Sequence, residues 1–148
     1  MARADSRSLT TLVALLSVAF VVSIVHYVDN VLNYDDFPVL PTESSLPNPS
    51  VDVVAGAWFV FTAFGLLGLW LFVRNRMAAA AVALAVYSGS GLVGVAHYLV
   101  PNATDMVWWR QAHVITDIVL GALVFAYAIR LATLPRQEDP GAEAPRPS

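Results

Sequence analysis

Residues 107–132, "VWWRQAHVITDIVLGALVFAYAIRLA", decide the fold. Between Arg110 and Arg130 the run carries a single charge, Asp117, amid Val, Ile, Leu, Ala and Phe. A helix rises about 1.5 Å per residue, so roughly 20 such residues cross the ~30 Å hydrocarbon layer of a bilayer. The stretch therefore predicts a transmembrane helix. Working outward, residues 77–100, 53–73 and 9–28 repeat the pattern, with short polar connections except for one longer loop over 29–50. The reading is an all-α integral membrane protein: four transmembrane helices in an antiparallel up-down bundle, a single domain over 1–134.

Composition agrees. Of 148 residues, 57% are apolar and 13% charged, and the mean hydropathy is +0.64. A soluble domain carries about 25% charged residues, so this chain lacks the side chains to solvate a globule. The net charge is −3 and every basic residue is Arg, with no basic patch for nucleic acid. The absence of Cys excludes disulfides, thiolate metal sites and c-type haem attachment.

The first apolar run follows Arg3 and Arg7 as a signal peptide would, but it is too long and no A-x-A pattern closes it, so it reads as a retained helix. Arg3, Arg7, Arg74, Arg76, Arg130 and Arg136 flank one side, and only Arg110 flanks the other. The positive-inside rule then places both termini in the cytoplasm, in a plasma (inner) membrane protein. The loop over 29–50 becomes external. Its first half, "DNVLNYDDFP", can lie along the interface, whereas "TESSLPNPS" reads as linker. Residues 135–148, rich in Pro and charge, read as a disordered cytoplasmic tail. In "SGSGLVG", Ser90, Gly91 and Gly94 offer a close-approach surface for a neighbouring helix or for a second copy in a homo-oligomer. Asn102 opens an Asn-Ala-Thr triplet that reads better as a cap for the last helix, through Thr104 or Asp105, than as a glycosylation acceptor.

All three histidines fall near the external ends of their helices. His26 shares a helical face with Asp29 and Asn30, His113 shares one with Asp117, and His97 shortly precedes Pro101. A carboxylate inside a membrane span is costly, so Asp117 is expected to face the interior beside a partner and to mark a functional site. One chemistry open to these residues is a divalent transition metal held by His26, His97, His113 and Asp117, with Asp29 as a further candidate. Haem b between two histidines is another. A third needs no metal: His113 with Asp117, or His26 with Asp29, as an acid/base pair acting on an apolar, lipid-like small molecule. No H-E-x-x-H, H-x-H or Glu-x-x-His motif accompanies them. The alternative is a non-enzymatic scaffold or accessory subunit that meets another membrane subunit and uses its polar residues only as interhelical hydrogen bonds.

Overall fold

The computed structural model describes residues 6–41, 43–44 and 47–133; the tail expected over 135–148 lies outside them. Four helices dominate: α1 (Ser6–Leu32), α2 (Val51–Val73), α3 (Met77–Leu92) and α4 (Trp108–Thr133). Among the described residues there are no strands. α1, α2, α4 and α3 with its following 3-10 turn are each long and apolar enough to cross a membrane, with mean hydropathies between 1.7 and 2.4. The chain is thus all-helical with the character of a multi-pass membrane protein.

Neighbours pack in a closed order: α1 on α2, α2 on α3, α3 on α4 and α4 on α1. The α3–α4 seam is the tightest. A Cβ added at Gly91 would lie 2.1 Å from the Asp117 carbonyl oxygen, and one at Gly121 would lie 2.9 Å from the Ser88 carbonyl oxygen. Only glycine lets the two backbones approach so closely, which is how helices gain dispersion contact where lipid supplies no hydrophobic drive. The glycines of "SGSGLVG" therefore find close partners within the chain. One apolar core gathers the start of α1 (Leu12), the end of α2 (Leu71, Phe72), the start of α3 (Ala80, Leu84) and the end of α4 (Val124, Leu131).

The α2–α3 connection is a three-residue reversal. Asn75 adopts a left-handed φ of 57°, the Arg76 N–H donates to the Leu71 carbonyl at 2.9 Å and the Asn75 N–H to that of Phe72 at 2.9 Å. This closes the helix end in a Schellman-type arrangement, with Asn tolerated where a bulkier side chain would be strained. At the start of α2, Ser50 Oγ accepts from the Val53 N–H at 3.4 Å.

Three boundaries differ from the sequence reading. α1 runs on to Leu32, so Asp29 and Asn30 belong to its last turns and not to the loop, because both are buried by partners on other elements. α3 ends at Leu92 and the chain tightens into a 3-10 turn over Val93–Tyr98, which carries His97. α4 is not capped by Thr104 or Asp105: the Val107 carbonyl accepts from Arg110 and Gln111, while the Gln111 side chain turns back to the Thr104 and Met106 carbonyls.

Candidate functional site

Opposite the apolar core, α1, α4 and the turn after α3 converge on a layer of polar side chains. Asp29, on α1, is its hub. Its Oδ2 accepts from Arg110 Nε at 2.8 Å and pairs with His113 Nε2 at 3.1 Å; its Oδ1 accepts from Asn33 Nδ2 at 2.7 Å and from Arg110 Nη2 at 3.3 Å. Four hydrogen bonds from three residues fill the acceptor capacity of a carboxylate. Asp29 and Arg110 are 7% and 6% exposed, so neither charge is compensated by solvent and each depends on the other. Arg110 also reaches Asp36 Oδ2 at 3.2 Å, in the α1–α2 loop, and lies 4.8 Å from the centre of the Phe37 ring.

His26 and Asp117, both 2% exposed, form the second pair: Nδ1 lies 2.7 Å from Asp117 Oδ2. The pairings cross those expected from helical spacing. His26 was expected to work with Asp29 and His113 with Asp117; instead His26 meets Asp117 and His113 meets Asp29. Residues one turn apart on an inward face do share a direction, but an imidazole directed inward meets the facing helix before it can fold back on its own. His97 Nε2 lies 3.2 Å from Asn30 Nδ2. The three rings are neighbours: the His26 centroid is 5.7 Å from that of His97 and 5.5 Å from that of His113.

Proximity does not make a metal centre. Among the described residues no group of three or more His, Asp or Glu is placed to hold a metal ion. His26, His97, His113 and Asp117, read from the sequence as a ligand set with Asp29 beside it, do not form such a group in this arrangement. A ring nitrogen of each histidine is already engaged by a carboxylate or amide, and the Asp29 oxygens are spent on Arg110, Asn33 and His113. Among the described residues, three buried side-chain atoms lack a hydrogen-bond partner: His113 Nδ1, Ser90 Oγ and Tyr98 Oη.

Beside this layer lies a cavity of about 380 Å³ between α1, α2 and the turn after α3. His26, Asn30 and His97 supply polar groups, and Val54, Ala57 and Phe61 supply an apolar wall. Residues of the α1–α2 loop line one side of it. Phe37, 5% exposed, sets its ring centre 5.0 Å from that of His97, with the planes tilted by 43°. Asn48 clamps Leu40 by accepting from its N–H at 2.8 Å and donating to its carbonyl at 3.1 Å, and the Tyr34 hydroxyl donates to the Pro49 carbonyl. Asn48 and Pro49, in the stretch read as plain linker, thus take part in a built cap. Asn48 between prolines was its only sequence signal, and an isolated Asn carries no direction. The cavity falls within the range of small-molecule sites, about 300–1,000 Å³, which are mostly apolar with a few placed polar groups.

The fold and site together define a class: a four-helix protein of membrane-spanning character with a buried His/Asp/Arg layer beside an apolar cavity. No protein-family model, curated protein or solved structure matches the chain.

Proposed function

We propose that this protein is an antiparallel four-helix membrane bundle, both termini cytoplasmic, that binds an apolar small molecule in the cavity beneath its external loop and acts on it by proton transfer through His26. The single observation that carries this reading is the placement of His26. Its ring lines the cavity while Nδ1 is held by Asp117, which leaves Nε2 as the nitrogen for a ligand. A carboxylate behind an imidazole fixes its tautomer and stabilises the cation formed when it takes a proton. Asp117 thus keeps its place in the site as a positioning residue, and His113 with Asp29 becomes the neighbouring support. The apolar core that joins the start of α1 and α3 to the end of α2 and α4 supports the up-down arrangement, and the Arg distribution supports the orientation.

A scaffold that uses the same groups as interhelical glue is the second reading, and the His26–Asp117 and Arg110–Asp29 bonds between α1 and α4 favour it equally. The cavity separates the two. A diazirine analogue of farnesol, photolysed with the protein in membranes, should label residues of the cavity wall. Ala57→Trp, which fills the cavity from α2, should remove most of that label. Adducts spread evenly over lipid-facing residues and indifferent to Ala57→Trp would leave only the scaffold.

A further inference from the structure

Two imidazoles line one cavity, and their hydrogen bonds present opposite chemistry to it. An ionised carboxylate only accepts, so the 2.7 Å bond to Asp117 puts the His26 proton on Nδ1 and leaves a lone pair on Nε2. An amide nitrogen only donates, so the 3.2 Å bond from Asn30 Nδ2 occupies the lone pair of His97 Nε2 and puts the ring proton on Nδ1. Neither His26 Nε2 nor His97 Nδ1 is claimed by another hydrogen bond among the described residues. With the ring centroids 5.7 Å apart, the wall carries a proton acceptor and a proton donor side by side. Around them the lining is Val54, Ala57, Phe61 and Val93, so the substrate body must be apolar.

The geometry points to an enolisation site, and, resting on the reading of the cavity as a ligand site, to a substrate class: apolar carbonyl compounds with a β,γ double bond. His26 Nε2 removes a proton from the carbon next to the carbonyl. The C–H electron pair becomes a C–C π bond while the carbonyl π pair moves onto oxygen, where the His97 Nδ1–H donates to the developing charge. The oxygen pair then re-forms the carbonyl, the double bonds shift, and the far carbon takes a proton back from His26, whose Nε2–H can exchange with water in between. The product is the conjugated isomer; no oxidant, reductant or second substrate is consumed. His26 is the base and His97 the electrophile. Asp117 positions His26, and Asn30 sets the tautomer of His97. Neutral imidazole is suited to the donor task because it holds a developing oxyanion without surrendering its proton beforehand.

The test uses the purified full chain in detergent with β-isophorone, a small β,γ-unsaturated ketone, as the probe. Occupancy is read by its competition with the farnesol photolabel. Chemistry is read by formation of α-isophorone and by deuterium uptake from heavy water. The wild type should compete, isomerise and exchange. His26→Gln should lose roughly 100-fold or more of the isomerisation rate, the usual scale for a positioned base, while still accepting the photolabel. His97→Phe should lose about 100-fold, the scale of one oxyanion donor. Asp117→Asn should lower the rate and shift its pH profile, which a purely structural residue would not do. Ala57→Trp, which leaves both imidazoles in place, should stop the reaction and so covers the case in which the histidine variants misfold. Competition without isomer or deuterium uptake above the protein-free rate would overturn the enolisation assignment and leave the ligand site standing, as would an unimpaired His26→Gln. Failure of β-isophorone to compete overturns the substrate class. Failure of the photolabel to enter the cavity removes the ligand site itself.

Discussion

Leu12, Ala80, Leu84 and Val124, at the end where α1 and α3 begin, are each 0% exposed and touch mainly other apolar side chains. At the opposite end the buried groups are Asp29, Arg110, His26 and Asp117, joined by ion pairs across α1 and α4. The first end is held by fit: Gly68 lets α2 lie on Leu84, and Gly65 lies on the Tyr87 ring. The second is held by satisfied charge, and charge satisfaction does not need close packing. A cavity therefore survives beside the polar layer. The difference shows how one four-helix body joins an end held by apolar contact to an end held by buried charge beside the His26 cavity.

The comparison breaks first at Arg110. Replacing it with Leu leaves the Asp29 carboxylate buried without its cation, and removing one partner of a buried pair costs about 3 kcal/mol or more. Thermal unfolding in detergent should show that loss, and the double change Arg110→Leu with Asp29→Asn should recover part of it. A single variant as stable as the wild type would mean that the polar end is not held by this pair. The apolar end gives a smaller effect. In Gly68→Ala the new Cβ would lie 2.8 Å from Leu84 Cδ2 and Cγ, and overpacking of a filled core costs roughly 1–2 kcal/mol. The smallest effect belongs to Gly56, where a Cβ would meet nothing within 4 Å. Gly56→Ala should raise stability by about 0.5 kcal/mol through reduced freedom of the unfolded chain, and equal destabilisation at positions 56 and 68 would refute the role given to close fit.

Much of the fold was legible in advance. The spans read from 53–73 and 107–132 differ from α2 and α4 by a residue or two at each end, because length and hydropathy act within one segment. Asp117 was expected to face inward with a partner, and it does. The partner itself was not legible. Helical spacing joined His113 to Asp117 and His26 to Asp29, and the structure exchanged them, since spacing describes one helix and the bonds run between two. Arg110, which stood out in the sequence only as the Arg on the external side, serves Asp29 and Asp36 together. The roles of Asn48 and Tyr34 in the cap were not legible, because their partners are backbone carbonyls and an N–H that any residue would offer.

By itself, the order of residues determined that this chain places four apolar helices where a membrane would accept them, since transfer free energy is a sum over local composition. It also determined that Asp117 needs a partner, for a carboxylate in hydrocarbon is intolerable alone. Only the tertiary structure decided which imidazole meets which carboxylate, that the Asp29 oxygens go to Arg110, Asn33 and His113, and that a cavity opens beside His26 and His97. Those outcomes depend on how neighbouring helices stand to one another, as the glycines of the α3–α4 seam illustrate for that pair, and no single segment encodes that spacing.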